Sequence, residues 1–305
     1  VIERGLSSSY RLRVQFAIAL AFNDPRQWPR LARAAEDAGF GALVVSDHLI
    51  FPQPLRTPYP YTSSGRPRWS PETPWPDPLI AIAAMASATR KIRFLTSIYL
   101  LPLRHPVVAA KQIATAGLYA EERLILGVGA GWMREEFELL GEPFERRGRR
   151  LLEQIEVMRK LWHGGTVEHE GEFYSIPPLQ MAPALERPIP IWGGGTSEVA
   201  LQRAARHFDG WVSEIQTARE VETALEALTT HRERAGRAHL PFGSCVTAKD
   251  VGDLDGYRAL ASLGVQYLIT VPWALYGVAP DDVDRKCDSI RRFADEVIVP
   301  LDAFA

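Results

Sequence analysis

Short apolar runs alternate with amphipathic stretches along most of this chain, and the spacing of apolar positions changes at each boundary. "VQFAIAL" (14–20) reads as a buried strand. Behind it, Trp28, Leu31, Ala35 and Ala38 recur at helical spacing from about Pro25 until Gly39 closes the helix. "ALVVS" predicts the second strand, residues 78–88 a helix, "IRFLTSIYL" the third strand, "HPVVAAKQIATAGL" a helix and "RLILGVG" the fourth strand. A short helix is expected near residues 134–140. A longer one covers "RRGRRLLEQIEVMRKLW", with Leu151, Ile155, Met158 and Trp162 on one face. "GTVEHEGEFYSIPPL" predicts a small hairpin ahead of the fifth strand, "IPIWG". Strands at "DGWVSE", "GSCVTA" and "VQYLIT" follow, with helices between them over 197–208, 218–235 and 254–263. Val283, Cys287, Ile290, Ala294 and Val297 mark a last helix.

Eight strand-then-helix units in series, with no low-complexity linker, predict an α/β protein of the (β/α)8 TIM-barrel type. Its insertions lie after strand 2, in the Pro-, Tyr- and Trp-rich segment 51–78, and before strand 5. A doubly wound sheet would carry fewer strands and a glycine fingerprint after the first; here the first strand runs into "AFNDP". One barrel domain over 13–305 is expected. The stretch before it, 1–12, lacks an apolar signal core and reads as a disordered or vector-derived tail.

Barrel chemistry gathers where strands end and helices begin. Those ends hold Asn23, Ser46-Asp47-His48, Thr96-Ser97, the segments 127–132 and 192–197, Ser213-Glu214, Thr247, and Thr270 with Trp273. Six tryptophans, Trp69, Trp75, Trp132, Trp192, Trp211 and Trp273, fall at these ends or in the long insertion, and suit a flat conjugated ligand. They could equally close the barrel mouth without a ligand. An Asp beside a His at a strand end allows one to orient a ligand while the other gives or takes a proton; local capping by Asp47 is the alternative. Glycines 193–195, followed by Thr196 and Ser197 at a helix start, leave backbone amides open to a phosphate or simply permit a tight turn. "GVGAGW" is weak as a dinucleotide motif but allows backbone to approach a ring. No metal site is expected, because the first strand has no histidine and the others lie mostly on helices or in the hairpin.

Composition adds boundaries. The 35 Lys plus Arg against 37 Asp plus Glu give no general pull towards nucleic acid or membranes, so neither is an expected partner. No apolar run approaches a membrane span, and two distant cysteines, Cys245 and Cys287, suggest a reduced, cytoplasmic setting.

At "VVSDH", "TSIYLLPLRHPVVAAKQIAT", "RLILGVGAGW", "EGEFYSIPPLQ" and "PIPIWGGGTSEVALQRAARHFDGW" the chain resembles the luciferase-like flavin and deazaflavin oxidoreductases. The Ser-Asp-His sequence resembles the branch that uses coenzyme F420, a deazaflavin. That resemblance implies proton transfer by His48, cofactor contact by Asp47, and phosphate binding by Gly193, Gly194, Gly195, Thr196 and Ser197. It also implies backing of the ring by a bulge with a non-prolyl cis peptide at Ser97-Ile98, with Val128 and Gly129 against the cofactor, and it suggests a homodimer. Sugar-phosphate dehydrogenases of that branch carry a catalytic Glu where this chain has Ala130. The expected function is hydride exchange between F420 and a small hydrophobic substrate. An FMN-dependent two-component monooxygenase is the alternative, and a non-catalytic flavin carrier a third reading.

Overall fold

Parallel strands buried on both faces read as continuous apolar runs, and here those runs close on themselves. A computed structural model describes residues 14–303; the tail expected over 1–12 lies outside them. The strands are β1 (Gln15–Ala19), β2 (Ala42–Val45), β3 (Arg93–Thr96), β4 (Leu124–Val128), β5 (Thr166–Glu170), β6 (Ser175–Gln180), β7 (Ile191–Gly194), β8 (Gly210–Gln216), β9 (Gly243–Ala248) and β10 (Tyr267–Thr270). The helices are α1 (Trp28–Asp37), α2 (Pro78–Ala88), α3 (Pro106–Ala120), α4 (Arg134–Leu140), α5 (Arg147–His163), α6 (Glu198–His207), α7 (Ala218–Arg234), α8 (Leu254–Ser262), α9 (Pro272–Leu275), α10 (Val283–Phe293) and α11 (Val299–Asp302). Eight strands form a closed barrel in the order β1-β10-β9-β8-β7-β4-β3-β2, and β5 and β6 pair as a separate hairpin. The TIM barrel and both insertions are therefore as expected.

Period-two alternation sorts the strand residues into two cores. Phe16, Ile18, Leu43 and Val45 face the helices, while Ala17, Ala42, Val44, Leu95 and Ile125 face the barrel axis. Trp192 fills that axis rather than the mouth. Its indole lies where side chains on Gly210 and Gly243 would stand, 2.6 and 2.1 Å from their built Cβ positions. The third strand stops at Thr96, earlier than the run "IRFLTSIYL" suggests. Ser97-Ile98 is a cis peptide, and Tyr99 rejoins the sheet by bridging to Val128.

Candidate active site at the barrel mouth

The strand β2 delivers Asp47 and His48 in opposite directions. Asp47 turns into the wall. Its carboxylate takes both Arg104 guanidinium nitrogens, at 2.6 and 3.0 Å, and the Leu100 amide at 2.9 Å. Burial pushes the Asp47 carboxyl above its ordinary range, and the Arg104 charge opposes that push. Arg104 in turn lies 4.1 Å over the Tyr99 ring. Asp47 lines the cavity, and its oxygens hold the chain just past the bulge in place.

His48 faces the cavity inside an aromatic box. Its ring centroid lies 5.0 Å from Trp69, 5.3 Å from Trp75 and 5.9 Å from Trp132. Tyr59 packs on Trp69 and Trp132 at 5.2 and 5.1 Å, and Phe22 closes on Trp75 at 5.7 Å. Behind the ring, Nδ1 stands 3.3 Å from Glu136 Oε1, which also accepts the Leu49 amide at 2.8 Å.

The floor is backbone. Gly129 and Gly194 close from two strands on Ile98, whose side-chain carbons would lie 1.9 and 2.5 Å from their built Cβ atoms. Glycine is required at both positions by this close approach. Gly195 adopts φ +112°, and Ser197 caps α6 by accepting the Ala200 amide at 3.3 Å. The first amides of α6 have no acceptor within the helix. Arg147 and Arg203 line the same end of the cavity. Arg147 donates to the carbonyls of Gly131 and Phe144, at 2.8 and 3.3 Å. Burial and the Arg147 charge push the Arg203 guanidinium below its ordinary value, and no carboxylate among the described residues pairs with it.

The insertion after β2 covers the mouth as a lid. Arg56 and Thr57 donate to Glu135 through their amides, at 2.6 and 2.9 Å, and the Thr57 hydroxyl adds a bond of 2.7 Å. Burial pushes the Glu135 carboxyl up, but these hydrogen bonds outweigh it and hold it at about 2. Further along, Arg68 pairs with Glu214 at the end of β8 and donates to the Tyr61 carbonyl at 2.9 Å. The cavity is about 740 Å³, large enough for a cofactor-sized ligand.

Of the residues singled out in the sequence, Asp47, His48, Ser97, Ile98, Gly129, Gly194, Gly195, Thr196 and Ser197 line this one cavity. Two do not. Val128 turns outward into the helix-side core, and a side chain on Gly193 would meet the Phe208 ring outside the barrel. Among the tryptophans, Trp69, Trp75 and Trp132 belong to the site. Trp211 instead packs in the outer layer, holding the Gly195 carbonyl at 2.9 Å, and Trp273 packs by Lys286. Asn23 is also structural: its amide bonds the Leu20 and Ala21 carbonyls, and its oxygen takes the Lys286 ammonium at 2.8 Å. Sequence reading missed Glu135, Glu136, Arg104, Arg147 and Arg203. The available signal was a pair of acids opening a short helix just after "GVGAGW". Acids in a first helical turn are favoured by the helix dipole alone, so that signal did not single them out.

A family model for the luciferase-like monooxygenases matches residues 6–251. The chain belongs to that family. Within it, an uncharacterized protein of Mycobacterium tuberculosis is 34% identical over 290 residues, covering 94% of this chain and 100% of the relative. An F420-dependent glucose-6-phosphate dehydrogenase of Nakamurella multipartita is 30% identical over 280 residues, covering 90% of this chain and 76% of that protein. The solved structure of a coenzyme F420-dependent tetrahydromethanopterin reductase from Methanopyrus kandleri shares the fold. It has a TM-score of 0.71 and 19% identity, covering 95% of this chain and 99% of that one. No helix among the described residues is long and apolar enough to cross a membrane.

Proposed function

We propose that the protein is a coenzyme F420-dependent oxidoreductase that exchanges a hydride between the deazaflavin and a small, neutral, largely apolar alcohol or carbonyl compound. The observation that carries this reading is one cavity with two unlike ends. A single proton-handling imidazole stands among aromatic rings at one end, and cations without carboxylate partners stand beside a helix start at the other. F420-dependent relatives, matched over 76% and 80% of their own length, support the cofactor.

The residues present fit such a ligand. Ile98, with Gly129 and Gly194 at its back, would support a flat ring, and Thr196, Ser197, Arg147 and Arg203 would hold its phosphate. When bound, the deazaflavin supplies hydride chemistry and activates oxygen poorly. His48 then takes the proton of a substrate hydroxyl, or returns it to a carbonyl oxygen. Tyr59 and Tyr61 are unsuited to that work, because burial pushes both phenols above their ordinary value. The lid tryptophans exclude water and select apolar substrates.

A sugar phosphate is disfavoured as substrate. Near His48 the cation of the lid, Arg68, is already neutralised by Glu214, and Ala130 replaces the glutamate of the sugar-phosphate enzymes. The two cysteines are free and buried, which suits a reducing cytoplasm. The resemblance to the family suggests a homodimer, and the exposed Ile80, Leu118 and Tyr119 on α2 and α3 offer apolar surface for it.

The test is a change in F420 absorbance on mixing the protein and cofactor with a panel of neutral alcohols, ketones and enones beside glucose 6-phosphate. Turnover confined to the neutral compounds is expected. Turnover of the sugar phosphate alone, or oxygenation with reduced FMN in place of any F420 reaction, would contradict it.

A further inference from the structure

We infer that Glu136 is a positioning residue that fixes the tautomer of His48, keeping a proton on Nδ1 and leaving the Nε2 lone pair for the cavity. The inference rests on the reading of His48 as the residue that moves the proton.

Its basis is the arrangement behind the ring. The Glu136 side chain is 0% exposed, and its Oε1 holds both the Leu49 amide and the His48 imidazole. Two consecutive residues are thus gripped by one oxygen, which orients the backbone and the ring together. The other oxygen, Oε2, is buried and has no partner among the described residues. Oε1 already accepts the Leu49 amide and so meets the imidazole as an acceptor, which the ring can satisfy only as Nδ1–H. Among the described residues nothing else facing the ring competes for that nitrogen. Asp47, its chain neighbour, is closed by Arg104 and the Leu100 amide, and the surrounding indoles offer no acceptor.

A neutral ring so held can accept a hydroxyl proton at Nε2. The imidazolium that forms stays against the buried carboxylate, and its charge-assisted bond can shorten from 3.3 Å. In the reverse direction the same nitrogen gives the proton back. Glu136 touches no ligand and acts through His48. Its neighbour Glu135 holds the lid at Arg56 and Thr57, so the first turn of α4 serves both the imidazole and the cover above it.

Ring-nitrogen NMR of histidine-labelled, cofactor-free protein tests this directly, with the His48 signals identified by their loss in His48→Ala. The wild type should show the Nδ1–H form. Glu136→Leu should move the ring towards the Nε2–H form, whereas Glu136→Gln, whose amide oxygen can still accept both N–H groups, should retain Nδ1–H; the wild-type reading keeps the question answerable if the leucine variant fails to fold. With a good substrate, Glu136→Leu should lower kcat on the order of 10²-fold or more while KM changes little, as expected for a base held in the wrong tautomer. An Nε2–H ring in the wild type, or a folded leucine variant that keeps the Nδ1–H form, would overturn the inference. Neither result depends on turnover, so the tautomer is decided even if the protein proves to use another cofactor.

Discussion

The two ends of the cavity are built from opposite materials. Around His48 the walls are indole and phenol rings, and the one acidic side chain at the imidazole among the described residues is the buried Glu136. Around Thr196 and Ser197 the walls are backbone and two arginines that no carboxylate among the described residues pairs with. Apolar walls strengthen a proton transfer by excluding water, whereas uncompensated cations gain by meeting an anion. On the proposed function the difference is a division of labour: one end would transform the substrate and the other would retain the cofactor. Changes at the two ends should therefore separate rate from affinity.

The largest effect is expected at the aromatic end. His48→Ala should lower turnover by ~10²–10⁴-fold, the range for loss of a general acid or base, while cofactor affinity changes little. Steady-state kinetics and a binding titration on the same preparation check both halves. A variant that binds poorly but turns over normally at saturation would erase the distinction between the ends.

Asp47→Asn comes next and falls on the wall that both ends share. Removing the carboxylate leaves the buried Arg104 with only the more distant Asp77, at 3.8 Å, as counter-charge, a loss of up to about 3–5 kcal/mol for a broken buried pair. Urea unfolding should show a lower midpoint with an unchanged slope. Cofactor affinity should fall only as far as the floor is disturbed, so a stable Asp47→Asn protein that had lost binding would show that Asp47 contacts the cofactor directly.

The smallest effect is expected at the lid. Glu135→Gln should cost about 1–2 kcal/mol through weakened bonds to Arg56 and Thr57, and should raise KM more than it changes kcat. The sign of its pH dependence follows from a folded carboxyl lowered from 4.5 to about 2. The stability it contributes is complete above about pH 4.5 and is lost as pH falls through 2. Protease protection of the lid, followed down that range, should weaken in the wild type and be flatter in Glu135→Gln.

Much of this molecule is written in its local patterns. Each apolar run read as a barrel strand became one, because a strand covered by helices outside and by the axis inside is apolar over most of its length. His48 and the turn 194–197 were legible because strand ends are where barrels place chemistry. What escaped are pairings across the fold. His48 and Glu136 are 88 residues apart, and Asp47 and Arg104 are 57 apart, so no spacing rule connects them. Facing also escaped. Trp192 and Gly193 are neighbours at one strand end, yet the first fills the barrel axis and the second lies against Phe208 outside it. The glycines illustrate the same limit: their sequence suggested room for a ligand, and at Gly129 and Gly194 the room is taken by Ile98.

The most direct test of a cavity with a ring end and an anion end is a calorimetric titration with three ligands: intact F420, its deazaflavin fragment lacking the phosphate, and FMN. Wild-type protein should bind F420 most tightly, with the fragment weaker. Arg203→Ala should weaken F420 roughly 10- to 100-fold, as expected for a lost charge-assisted bond, and leave the fragment almost unaffected. Equal losses for F420 and the fragment, or saturation by FMN with none by F420, would contradict the account.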